Sequence, residues 1–204
     1  MGKTVYGLLL IVGTLLGLAF PAPKTIVFFG DSLTAGYGLD PKMAFPQVVK
    51  EKLIAAGRQV NIINAGLSGE TTAGGASRID WILRQPVDIF VLELGGNDGL
   101  RGLPLEQTEK NLQLIIDKVR AKNPQVKIII AGMQVPPNLG EDYTEKFSKI
   151  FPRISSKNKA TLLPFLLEGV AGDEKLNLPD GIHPNAEGHK VVADNIIRVL
   201  RPLL

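Results

Sequence analysis

Residues 89–100 read Ile-Phe-Val-Leu-Glu-Leu-Gly-Gly-Asn-Asp-Gly-Leu. The first six positions are apolar except for Glu93, they do not alternate with polar residues, and two glycines end the run. A strand with one wet face alternates. A nearly unbroken apolar run of this length belongs to a strand covered on both faces, as in a parallel sheet. Similar runs occupy residues 25–29, 60–64, 127–131 and 161–164. Helix-like stretches lie between and after them, at residues 45–56, 76–83, 105–121, 143–157 and 185–200. In the third of these, Leu112, Ile115, Ile116 and Val119 recur at helical spacing, with Glu109, Lys110, Asp117 and Lys118 opposite. The regular alternation predicts an α/β fold with a parallel sheet, forming one domain over residues 24–204. In such sheets ligands bind beyond the carboxyl ends of the strands, where the strand order reverses.

Composition narrows the chemistry. The 204 residues include 22 Gly and 14 Pro but no Cys. That excludes a disulfide scaffold, a thiolate metal site and a Cys nucleophile. Lys and Arg number 23 against 20 Asp and Glu, a net charge of +3. The basic residues are scattered rather than clustered, so no nucleic-acid partner is expected. Only two His residues exist, His183 and His189, and any imidazole chemistry must come from them. The phosphate-cradling G-x-x-x-x-G-K-[ST] loop is missing, and Pro41 interrupts a dinucleotide fingerprint begun by Gly36 and Gly38. No Ser sits in a G-x-S-x-G elbow.

Residues 1–23 differ in kind from the rest. Lys3 precedes an uncharged apolar stretch from Thr4 to Ala22, and Gly17-Leu18-Ala19 supplies a small-x-small cleavage signal. This segment is read as a secretory signal peptide, cut after Ala19 or Ala22, with an N-terminal membrane segment as the alternative. Either reading places the remaining chain in the periplasm or outside the cell of a bacterial source.

The segments that follow the strand runs carry the chemistry. Gly30-Asp31-Ser32-Leu33 follows the first, Asn64 to Thr71 the second, and Gly95-Gly96-Asn97-Asp98-Gly99 the third. Asp180-Gly181-Ile182-His183-Pro184 precedes the last helix. Pro184 keeps His183 out of the helix, and three residues of loop allow the Asp180 carboxylate to fold onto one imidazole nitrogen. The other nitrogen is then free to accept a hydroxyl proton, which is how a Ser nucleophile is activated. An ordinary turn with a helix cap is the competing explanation. His189 lies about 120° further round a helix than His183, so the two cannot form a same-face metal pair. It reads as a surface or helix-packing residue. Ser32 and Asp31 could each merely cap a short helix. Gly69 could be a turn glycine or a backbone donor to a reacting oxygen, and Asn97 a turn residue or a second such donor.

These blocks together resemble the GDSL, or SGNH, hydrolases, a family defined by Ser, Gly, Asn and His in four separated blocks. Here the blocks are Gly30-Asp31-Ser32-Leu33, Gly69, Gly96-Asn97-Asp98 and Asp180-x-x-His183. The stretch from Glu93 to Gly102 is similar to the bacterial periplasmic branch of acyl-CoA thioesterases, lysophospholipases and arylesterases. The resemblance implies a flavodoxin-like three-layer αβα sandwich with five parallel strands and a serine hydrolase acting on carboxylic esters and thioesters. It implies Ser32 as nucleophile, His183 as general base and Asp180 as the group orienting it. The oxyanion hole would comprise the N–H groups of Ser32 and Gly69 and the side chain of Asn97. No metal or cofactor is implied. The expected partner is a small acyl ester or thioester, the expected state a monomer, and membrane contact would come only through an uncleaved leader. The alternatives are a carbohydrate O-acetyl esterase on the same scaffold and a non-catalytic flavodoxin-like binding module. The segment Gln134 to Gly140, which borders the acyl pocket in that branch, is slightly shorter here.

Overall fold

In a computed structural model that describes residues 22–204, strands and helices alternate as β1 Lys24–Gly30, α1 Ser32–Ala35, α2 Phe45–Ala55, β2 Val60–Gly66 and α3 Thr72–Ile82. They continue with β3 Ile89–Glu93, α4 Gly96–Leu100, α5 Leu105–Lys122, β4 Lys127–Ala131, α6 Glu141–Ser148, α7 Ile150–Lys157, β5 Thr161–Leu163 and α8 Ala186–Leu200. The expected leader falls almost wholly outside the described residues. Among those described, no helix is long and apolar enough to cross a membrane.

All five strands are parallel, in the order β2-β1-β3-β4-β5. Helices α2 and α8 pack together on one face, while α3, α5 and α7 line the other. This is the three-layer α/β sandwich that the unbroken apolar runs require: every residue of β3, Ile89–Glu93, is buried. The chain leaves β1 to build β2 on one side and β3 on the other. The loops after β1 and β3 therefore flank the reversal point, where a ligand site is expected.

Three points refine the sequence expectation, each with a physical cause. The helix expected over residues 143–157 is two helices, broken at Ser148–Lys149. Pro152 has no N–H for the carbonyl of Ser148 and its ring crowds that carbonyl, which ends α6. Helix α3 begins at Thr72 rather than residue 76, capped by the Thr71 hydroxyl, which accepts the N–H of Gly74 at 3.4 Å. Gly74 and Gly75 obscured that start. At Gly75 a Cβ would stand 2.5 Å from Leu94 Cδ1 and 3.1 Å from the Phe29 ring, so the glycine is what lets α3 lie close on the sheet.

The third point is His189. The surface option for it fails, because its residue exposure is 1%. Its Nδ1 accepts the N–H of Phe45 at 3.1 Å, and its ring stacks on that of Phe45. Ala44 offers α2 no side-chain cap. His189 supplies from α8 an acceptor for one of the free N–H groups that begin α2.

Candidate active site

The four-residue α1 sits against the sheet edge because glycines leave room for it. A Cβ on Gly66, at the end of β2, would collide with Ala35 N at 2.2 Å. Asp31 is the N-cap: its Oδ1 accepts the N–H of Leu33 at 3.0 Å. Ser32, the first helical residue, is thereby freed from capping. Its own N–H belongs to the first turn and has no intrahelical acceptor.

The loop before α8 brings the imidazole to Ser32. Leu178 donates its N–H to His183 O at 2.7 Å, closing the loop, and Pro184 is buried behind it. Within the loop, Asp180 Oδ1 accepts the N–H groups of Ile182 at 2.9 Å and His183 at 3.0 Å. Its Oδ2 lies 2.7 Å from His183 Nδ1, and His183 Nε2 lies 2.9 Å from Ser32 Oγ. The backbone N–H of His183, with those of Ile182 and the imidazole, holds the Asp180 carboxyl down at about 2. A carboxylate only accepts, so Nδ1 carries the hydrogen and Nε2 is left to accept from Ser32 Oγ–H. Ser32, Asp180 and His183 thus form one connected relay.

Asn97 is where three strand-end loops meet. Its Nδ2 donates to Asp31 Oδ2 and to Glu70 O, both at 3.1 Å. Both amide hydrogens therefore have protein acceptors, and a developing oxyanion would have to draw one of them away. Gly69 adopts a left-handed φ of 79°, and its carbonyl accepts from Arg101 Nη2 at 3.1 Å. Glu70 is ion-paired with Arg78, whose guanidinium also donates to Ala65 O at 2.8 Å and lies over the Phe29 ring. The loop bearing Gly69 is therefore fixed at Gly69, at Glu70 O and at the Glu70 carboxylate. Asp98 is buried and accepts from the Thr72 N–H at 2.8 Å and from the Thr72 and Thr108 hydroxyls, which ties α4 to α3 and α5.

A buried acid to which the sequence assigns no role lies beneath this turn. Glu93 ends β3 opposite Gly30, and its Oε2 accepts the Thr34 hydroxyl at 2.7 Å and the Asp31 N–H at 3.2 Å. Burial, and then the Asp31 charge, push Glu93 well above the usual carboxylate range, favouring its neutral form. Burial likewise raises Asp31 to about 6, against the opposing pull of the Leu33 and Asn97 hydrogen bonds. Glu93 was legible only as the odd polar residue in an apolar run. Tyr37, whose ring lies 4.5 Å from that of His183, carried no sequence signal.

An open cleft of about 550 Å³ leads to Ser32 and His183. Leu33, Leu100, Met133, Val135, Phe165 and Leu167 make its walls largely apolar. Among the described residues, no three His, Asp or Glu side chains are grouped as a metal site.

A model of the GDSL-like lipase/acylhydrolase family matches residues 28–191, most of the chain. The chain belongs to that family. It is 37% identical over 184 residues to the esterase TesA of Pseudomonas aeruginosa, covering 90% of each protein. It is 36% identical to thioesterase 1/protease 1/lysophospholipase L1 of Escherichia coli, covering 90% of this chain and 86% of that one. The crystal structure of the psychrotrophic esterase EstA from a Pseudoalteromonas species, inhibited by monoethylphosphonate, is similar with a TM-score of 0.83 at 32% identity. That match covers 88% of this chain and 97% of EstA. The α/β sandwich and the hydrolase class expected from the GDSL blocks both agree with these relatives.

Proposed function

We propose that this GDSL-family hydrolase cleaves carboxylic esters and thioesters through an acyl-enzyme on Ser32. The observation that carries the reading is the unbroken relay from Ser32 Oγ to His183 Nε2, 2.9 Å, and from His183 Nδ1 to Asp180 Oδ2, 2.7 Å. Ser32 Oγ attacks the substrate carbonyl carbon while its proton passes to His183 Nε2. The carbonyl oxygen becomes an oxyanion held by the N–H groups of Ser32 and Gly69 and by Asn97 Nδ2. The C–O or C–S bond then breaks, the leaving group takes the proton from His183, and the acyl group stays on Ser32. Water gives a proton to His183 as it attacks the acyl-enzyme. Ser32 recovers that proton and the free acid departs. Asp180, held ionised by its backbone hydrogen bonds, keeps the imidazole in the required tautomer.

The apolar cleft fits an acyl chain beside the reacting carbonyl, in keeping with lysophospholipid, acyl-CoA or aryl ester substrates. An O-acetyl esterase acting on sugars would need polar walls where Leu33, Met133, Val135 and Phe165 stand. The relatives named as esterase, thioesterase and lysophospholipase support the same reading. We extend it to a monomeric hydrolase domain over residues 24–204, delivered to the periplasm or exterior by the leader at residues 1–23.

Covalent labelling by a fluorophosphonate tests the reading directly. Labelling of the native protein and none of Ser32→Ala is expected; an unlabelled native protein sinks it. Rates on p-nitrophenyl esters should rise beyond acetate, whereas a sharp optimum at acetate would favour the O-acetyl alternative.

A further inference from the structure

The loop that carries Asp180 and His183 is exposed from Pro179 to Ile182, and Asp180 holds the imidazole through Nδ1. A bond at one edge fixes the tautomer and limits rotation of the ring. It does little to stop the ring from swinging sideways, away from Ser32. What lies against the open face of His183 is Tyr37, with ring centroids 4.5 Å apart and planes inclined by 38°.

Tyr37 is itself anchored to the nucleophile's turn. Its N–H donates to Ser32 O at 3.0 Å, just after the left-handed Gly36 that ends α1. One residue on, Gly38 closes on the base's loop: a Cβ there would stand 2.7 Å from Leu178 Cδ1. The turn at residues 36–38 therefore meets the His183 loop at two places, with Gly38 close against the Leu178 side chain and the Tyr37 ring against that of His183. Tyr37 is half exposed, and its hydroxyl donates to and accepts from none of the described residues. A large aromatic ring left in water without a polar contact and laid on an imidazole is explained by the stack itself.

We infer that Tyr37 is a positioning residue for the base, holding the His183 imidazole over Ser32 through its ring and shielding one face from water. The inference rests on the proposed role of Ser32 and His183. It assigns the work to the ring and none to the hydroxyl. A misplacement of about 1 Å in a reacting group can cost on the order of a hundredfold in rate.

The test compares native protein with Tyr37→Ala, Tyr37→Leu and Tyr37→Phe, using the rate of fluorophosphonate labelling and the kinetics of p-nitrophenyl acetate hydrolysis. For Tyr37→Ala, labelling and kcat are expected to fall about ten- to a hundredfold, with KM within about twofold of native. Tyr37→Leu, which restores bulk without a flat ring, should stay impaired, and Tyr37→Phe should recover to within about threefold of native. Labelling of Tyr37→Ala at the native rate overturns the inference, as does a Phe variant no better than Ala or a Leu variant as good as Phe. If the native protein itself is not labelled, the Ser32 reading has failed first, and the two failures are told apart by that control.

Discussion

His183 and His189 stand six residues apart, on the loop before α8 and within its first turns. His183 is partly exposed, bonded at one nitrogen to a carboxylate and at the other to a hydroxyl. His189 is buried, accepts one backbone N–H, and lies against Phe45. Burial, and then the positive charge available on His183, push His189 down to about 4. The same side chain thus bridges a carboxylate and a hydroxyl at the rim and serves as a buried acceptor of one backbone N–H in the core. What separates the two is the acid: Asp180 lies against His183 Nδ1, and among the described residues no carboxylate is hydrogen-bonded to His189.

If that division is right, each His can be removed without loss of the other's role. His183→Gln should lower kcat by about 10⁴-fold or more while leaving the thermal midpoint near native. A variant of that kind with a tenth of native turnover would break the relay. Asn97→Ala should come next, with kcat down about 10²–10³-fold from the loss of one oxyanion donor. Near-native turnover there would remove Asn97 from the site. Asn97 also holds Asp31 and Glu70 O, so Asn97→Asp is the sharper variant: it keeps the size but places a second anion against Asp31, and should be no more active than Ala.

The contrast also explains what could be read from the chain. The strands were legible as apolar runs: β1, β3 and β4 are buried along nearly their whole length, while the edge strands β2 and β5 are only partly covered, and the glycines at the strand ends mark where backbone approaches backbone. Ser32, Asp180 and His183 were legible as types in an order, yet whether Ser32 was a cap or a free hydroxyl was open. The fold settles the geometry of that choice: Asp31 takes the capping bond to Leu33 N, and Ser32 Oγ is left for His183. Helices α1 and α4, four and five residues long, escaped notice because so short a segment shows no periodicity. They are specified by an N-cap at Asp31 and by Gly95 in a left-handed turn. The His189–Phe45 bond spans 144 residues and the Tyr37–His183 stack joins loops similarly far apart. Neither leaves a local pattern.

The smallest expected effect is on stability, and it is the one that measures the contrast between the two histidines. His189→Ala strands the Phe45 N–H and leaves a cavity beside its ring, so it should cost about 2–4 kcal/mol at pH 7 with turnover per folded molecule unchanged. The cost should depend on pH. His189 titrates near 6.5 when unfolded and at about 4 when folded, so below about 6.5 the unfolded chain binds a proton that the native protein refuses. Its contribution is therefore present above that pH and is lost as pH falls toward 4. The variant has no imidazole to lose, so the gap between native and His189→Ala should narrow by up to about 3 kcal/mol between pH 7 and pH 4. Native stability alone would hide this. Asp31, raised to about 6 by burial, shifts stability in the opposite sense over much of the same range, gaining as it protonates. Denaturant unfolding of both proteins at pH 7 and pH 4.5 separates the two contributions, because Asp31 is common to both. A gap that stays constant would mean that His189 is not held neutral by its burial, and the two imidazoles would then differ in position only.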